Sequence, residues 1–229
     1  MTRAVPQAAS LIEAIEGNGG IPIALPLLEI VDAEDGGASL GVALSALGPD
    51  DWLVVLSPNG ARRVLAHSSA SDSSTRPRLA VIASGTAKVF ADAGWSADLI
   101  PEVASSIGLL ATFEATSFEG RVLIAQAENG RVELLEGLTA RGVGVESIAA
   151  YRNVMPEIDP KTAAAARKAD VVVFASPSAV ERYVGHVGQT PARAVCIGDV
   201  TAETAGTSSF SVTTASAPTV EAILEALAG

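Results

Sequence analysis

Cysteine occurs once in the 229 residues, at Cys196, so no intrachain disulfide is possible and the chain fits a reducing compartment. The two histidines, His67 and His186, are far apart, and neither has a cysteine or carboxylate at ligand spacing. No metal site is expected from them. Aromatic residues make up only 4%, yet 48% of the chain is hydrophobic, mostly Ala, Val, Leu and Ile. That is enough for compact cores and unlike a disordered chain. No apolar run approaches the roughly 20 residues that span a bilayer, and no basic stretch leading into an apolar one opens the sequence. Neither a membrane span nor a secretory signal is expected. Positive charge is scarce too: 15 Lys and Arg against 26 Asp and Glu give a net charge of −11. This argues against a general nucleic-acid or anionic-membrane surface. Several catalytic motifs are also missing. There is no P-loop, no Gly-x-Gly-x-x-Gly after a strand and no Gly-x-Ser-x-Gly elbow. The acidic cluster Asp32, Glu34 and Asp35 sits in a glycine-rich stretch and reads as a solvated face. The expectation is a cytoplasmic protein of one large or two modest domains. An anionic small molecule stays possible if backbone N–H groups at helix starts hold it.

What the chain does contain is one junction written twice. Residues 51–65 (DWLVVLSPNGARRVL) and 170–184 (DVVVFASPSAVERYV) each begin with an apolar run that reads as a buried strand. Each run ends in Ser-Pro and continues at helical spacing. The serine suits an N-cap, and the proline suits the first helical position, where it has no N–H to lose. Around these units, helices are expected at 7–16, 39–47, 103–113, 130–140 and 218–227. Strands are expected at 79–83, 97–101, 121–126, 143–151, 193–197 and 210–213. Residues 21–30 read as an extended segment interrupted by prolines, 67–78 as a polar loop, and 31–38 and 153–160 as linkers.

Strands alternating with helices indicate an α/β protein with parallel sheets. With Ser57 placed on Ser176, Asp51, Val54, Pro58 and Arg63 match Asp170, Val173, Pro177 and Arg182. Further on, Arg78, Ile82, Thr86 and Ala87 match Arg193, Ile197, Thr201 and Ala202. Two similar α/β units with a cleft between them are expected, and the repeat alone would divide them near Gly120. In such sheets ligands bind beyond the carboxyl ends of the strands. Four junctions there carry small polar residues: Ser57-Pro58-Asn59-Gly60, Ser84-Gly85-Thr86, Ser176-Pro177-Ser178-Ala179 and Gly198-Asp199-Val200-Thr201. Each offers unpaired N–H donors and a partial positive charge. A single Ser-Pro is ordinarily just a cap; four junctions in a duplicated arrangement suit a large ligand with several carboxylates or phosphates. Tyr151, one of two tyrosines, ends a strand at the second linker, where a phenol could donate a hydrogen bond or relay a proton. A half-buried aromatic with a wet hydroxyl is the plainer reading.

These residues together resemble the uroporphyrinogen-III synthase family along essentially the whole chain. The matching elements are Thr2-Arg3 with Gln7-Ala8, Pro26-Leu27-Leu28-Glu29-Ile30, and Asp51-Trp52 through Ser57-Pro58-Asn59-Gly60. They continue with Thr86-Ala87, Tyr151-Arg152, Phe174 through Ser178-Ala179-Val180, Ile197-Gly198 with Thr201-Ala202, and Ala217-Pro218-Thr219. The resemblance implies two similar flavodoxin-like parallel-sheet domains with exchanged segments, joined by a two-stranded linker. Residues 1–31 plus 157–229 would form one domain and 38–152 the other, with linkers at 32–37 and 153–156. It implies a hydro-lyase of heme biosynthesis that needs no cofactor or metal and works as a monomer. Its substrate would be the linear tetrapyrrole hydroxymethylbilane, which loses water, inverts its terminal ring and closes to uroporphyrinogen III. Tyr151 matches the family tyrosine assigned to hydroxyl departure, and Thr201 is a second catalytic candidate. Arg3 and the four junctions would bind substrate. Three departures stand out. Met1 directly precedes Thr2 where the family has a full strand, so either that strand is lost or the start is late. Ala83 stands where the first Thr-Ala element usually has glycine, and Ala61 replaces a valine. A different class, a non-catalytic two-domain binder or sensor of an anionic ligand, would use the same junctions.

Overall fold

Four-residue runs of Val, Leu, Ala and Phe form the inner strands of two parallel sheets, because side chains buried on both faces need no polar alternation. The structure, a computed structural model, describes residues 5–68, 75–114 and 120–229. The chain divides into two compact units, Met1–Glu29 with Val154–Gly229, and Ile30–Asn153.

The continuous unit carries β1 (Glu29–Asp32), β2 (Trp52–Val55), β3 (Arg78–Val81), β4 (Val122–Ala127) and β5 (Val145–Val154), in the order β1-β5-β4-β2-β3. The β2–β3, β2–β4 and β4–β5 pairs are parallel. Alternate residues split the core cleanly. Leu53, Val55, Leu79, Val81, Leu123 and Ala125 face α2 (Ala38–Ser45), α3 (Pro58–His67) and α4 (Ser84–Asp92). Trp52, Val54, Ala80, Val122 and Ile124 face α5 (Ser106–Glu114) and α6 (Glu133–Thr139). The sheet is therefore doubly wound.

The discontinuous unit opens with α1 (Val5–Gly17) and holds β6 (Val171–Phe174), β7 (Arg193–Cys196) and β8 (Ser211–Thr214), parallel and in that order. α7 (Pro160–Ala166), α8 (Pro177–His186) and α9 (Asp199–Thr207) pack against one face, with Phe174, Tyr183 and Phe210 meeting edge to face. α1 and α10 (Val220–Ala228) cover the other. Arg193 donates to the Ala226 and Leu227 carbonyls at 2.9 and 2.7 Å, closing the negative end of α10.

Several expectations shift. Residues 20–28 form no strand; Pro22 and Pro26 remove ladder donors there, although Leu25 and Leu27 are buried. The strand expected at 97–101 reduces to one bridge between Ala80 and Leu99, stopped by Pro101. The linkers at 31–38 and 153–160 are partly ordered. β1 and β5 run into them side by side, and Asp159 caps α7 by accepting from the Thr162 N–H at 2.9 Å. His67 belongs to α3 rather than to a loop. The discontinuous unit has three strands among the described residues against five in the other. No helix among the described residues is long and apolar enough to cross a membrane.

Candidate active site

The strand order of the continuous unit fixes where a ligand should sit. From β2 the chain winds outward through α3 to β3. It later returns to the other side of β2 as β4, so the winding reverses between β2 and β4. The crevice beyond the carboxyl ends at such a reversal is the usual ligand site of open α/β sheets.

Ser57 stands at this point. With φ −162° and ψ 156° it is still extended, and its Oγ accepts the Gly60 N–H at 3.0 Å, opening α3. Gly60 leaves little room for a side chain. A Cβ there would lie 3.2 Å from Val55 Cγ1 and 3.4 Å from the Ala125 carbonyl oxygen, so α3 starts tight against the end of β4. Tyr151 arrives from β5 and is 7% exposed, and its hydroxyl lies 3.0 Å from Ser57 Oγ.

A break in register delivers that tyrosine. Gln126 pairs with Ala149 but Ala127 pairs with Tyr151, leaving Ala150 as an extra residue. Strict alternation would turn Tyr151 toward the α5/α6 face with Val145; after the bulge it joins Ala150 on the α3 face instead. The run Ala149-Ala150-Tyr151, which interrupts alternation, is the sequence signal for this.

The helix starts differ in what they leave open. At α3, Pro58 has no N–H and the cap occupies that of Gly60, so Asn59 keeps the free donor; Arg62 reaches back to its Oδ1 at 3.1 Å. α8 repeats the pattern. Ser176, at φ −167° and ψ 158°, accepts the Ala179 N–H at 3.2 Å, and Ser178 keeps the free donor. α4 and α9 begin without a side-chain cap, behind Ala83 and Gly198. The N–H groups of Ser84 and Gly85, and of Asp199 and Val200, are therefore unpaired and exposed. These uncapped starts are the richer donor sets. Asp199 puts a carboxylate on the second of them.

Each unit brings two of the expected junctions side by side. Ile82 N–H bonds to the Val55 carbonyl beside the α3 and α4 starts, and Ile197 N–H bonds to the Phe174 carbonyl beside those of α8 and α9. Thr86 and Thr201 are buried at equivalent positions of α4 and α9, at 1% and 5% exposure. Tyr151 and Thr201 belong to different units. Arg3 lies outside the described residues.

Sequence reasoning missed Gln126. It is buried at the end of β4, with its amide donating to Ser147 Oγ at 2.9 Å and to the Arg131 carbonyl at 3.3 Å. Tyr183 donates to the Ala166 carbonyl at 3.1 Å inside a core. Burial pushes the Cys196 thiol up to about 11, so it stays protonated and inert. No group of three His, Cys, Asp or Glu side chains suited to a metal occurs among the described residues.

A family model described as uroporphyrinogen-III synthase HemD matches residues 9–225. The chain is 31% identical over 248 aligned residues to the chloroplastic uroporphyrinogen-III synthase of Oryza sativa subsp. japonica, covering 99% of this chain and 80% of the relative. It is 29% identical to the uroporphyrinogen-III synthase of Synechococcus elongatus, covering 80% and 71%. Among solved structures, a mutant uroporphyrinogen III synthase from the extremely thermophilic bacterium Thermus thermophilus aligns with a TM-score of 0.63 at 17% identity, covering 98% of this chain and 95% of that one. The enzyme from Helicobacter pylori 26695 aligns with a TM-score of 0.62 at 18% identity, covering 89% and 90%.

Proposed function

The chain belongs to the uroporphyrinogen-III synthase family, and we propose that it performs the family reaction with Tyr151 as proton donor and the helix starts as carboxylate-binding groups. It is an enzyme of tetrapyrrole and heme biosynthesis. The substrate is hydroxymethylbilane. Its terminal C–O bond breaks, the oxygen leaves as water with a proton from Tyr151, and the macrocycle closes with the last ring inverted. The ring proton lost at closure restores the phenol. The substrate's acetate and propionate groups suit the open N–H donors of Asn59, Ser84 and Gly85 in the continuous unit; in the discontinuous unit the donors of the same kind are Ser178 and those behind Gly198. Each such donor acts in an acidic protein without adding net charge. Thr201 is the second catalytic candidate, beside the α9 start.

Much of the catalysis is restraint, because the unaided substrate closes without inversion to another isomer. The reading takes the two compact units as the two domains and the cytoplasmic monomer as the working form, with no cofactor. The observation that supports it best is the Tyr151 hydroxyl held 3.0 Å from Ser57 Oγ beyond the β2 and β4 ends. Supplying hydroxymethylbilane to the purified chain tests it. The inverted isomer is expected; the uninverted isomer alone, at the protein-free rate, contradicts it.

A further inference from the structure

We propose that Ser57 is a positioning residue whose hydroxyl donates to the Tyr151 phenol oxygen and leaves the phenol proton free for the substrate. The inference rests on the assignment of Tyr151 as proton donor. The start of α3 decides which of the two hydroxyls donates.

A serine hydroxyl donates once and accepts twice. Ser57 Oγ accepts from Gly60 N–H at 3.0 Å, and its other partner is Tyr151, also at 3.0 Å. If the phenol donated to Ser57, the phenol proton would be spent on the cap and the serine proton would be the open one. If Ser57 donates, the open proton is the phenol's. The α3 start favours the second arrangement. An N–H aimed at Oγ polarises the serine O–H into a better donor, and the positive helix end attracts the phenol oxygen rather than its proton.

The duplicated junction separates this role from capping. Ser176 caps α8 with nearly the same backbone angles, but its Oγ meets Ser178 Oγ at 3.1 Å, on its own helix. A tyrosine partner is thus no requirement of the cap. At Ser57 it depends on an extra residue in β5, which turns Tyr151 to the α3 face.

The test uses five variants of the full chain, three at Ser57, Tyr151→Phe and one double, with Tm, kcat, KM and product isomer measured for each. Glycine caps a helix almost as well as serine, whereas alanine does not. Both changes also lose the Tyr151 contact, so Ser57→Gly should lower Tm by about 2–4 °C, as Tyr151→Phe does, and Ser57→Ala by about 2–4 °C more. Both should lose about 10–100-fold in kcat with KM within about twofold, the size expected for a catalytic group out of place. Ser57→Thr restores the hydroxyl and should keep kcat within about threefold of the parent. In a Tyr151→Phe background, Ser57→Gly should cost nothing further, because Ser57 acts through the phenol. Parental kcat in Ser57→Gly, or the same loss in both backgrounds, overturns the proposal while the function stands. A parent chain that yields no inverted isomer removes both.

Discussion

The two tyrosines invite a paired experiment, because their hydroxyls stand in different settings, one against Ser57 Oγ at a helix start and one against a carbonyl inside a core. Removing the Tyr151 hydroxyl breaks one contact at a part-buried site, and Ser57 keeps its 3.0 Å bond to Gly60 N–H. The loss should be about 1 kcal/mol or less, a fall in Tm of about 2–4 °C in a chain of this size. Turnover should fall by about 10²–10⁴, the range for a positioned general acid. Tyr183→Phe should do the reverse. Its hydroxyl is 3.1 Å from the Ala166 carbonyl within a core where Tyr183 is 1% exposed. That carbonyl would keep only the Ala169 N–H at 3.3 Å. The cost should be about 1–2 kcal/mol of stability with turnover within about twofold of the parent. Thermal melts followed by fluorescence, and hydroxymethylbilane consumption with isomer separation, read both quantities. Equal activity losses in the two variants, or an unimpaired Tyr151→Phe, would refute the assignment.

Ser84→Pro should remove an open donor without harming the helix. Proline is at home at the first helical position, and Ala83 is already extended at φ −162° and ψ 166°. KM should rise about tenfold with Tm nearly unchanged, as for one lost bond to a charged group; an unmoved KM would exclude the α4 start from binding. Gly120→Ala should destabilise by more than about 2 kcal/mol, since φ is +90° and a Cβ would fall 2.5 Å from the Asp50 carbonyl oxygen; a denaturation midpoint like the parent's would refute this. The hydroxyl of Ser39, then the N–H groups of Ser39 and Gly37, hold the Asp35 carboxyl at about 2. A depressed native pKa adds stability that is complete above the unfolded value of about 3.9 and is lost as pH falls through about 2. Acid titration of Asp35→Ala should therefore be flatter between those values. Cys196, fully buried, should react with a disulfide reagent only after unfolding; rapid labelling of the native chain would contradict the core packing.

Much of the fold could be read because the junctions are local. Ser57-Pro58 and Ser176-Pro177 declare a strand end, a cap and a helix start within a few residues, and both caps form as such. The site was harder. Ser57 and Tyr151 are 94 positions apart, and their meeting depends on strand order and one bulge, neither of which is local. The same locality misled at 97–101, where an apolar run lacked a partner beyond one bridge. The donor count also needed coordinates. The Ser-Pro motif drew attention to α3 and α8, but a cap that bonds its own helix consumes the very N–H a ligand would want. Ala83 and Gly198, which carry no cap side chain, leave more donors open.

The most direct test of the account is the product ratio as a function of protein concentration. With hydroxymethylbilane held constant, the fraction of inverted isomer should rise with protein toward completion, and it should remain at the spontaneous level with Tyr151→Phe at matched concentration. A fraction that stays at the protein-free value across the parent titration would contradict the claim that this chain closes the ring with inversion.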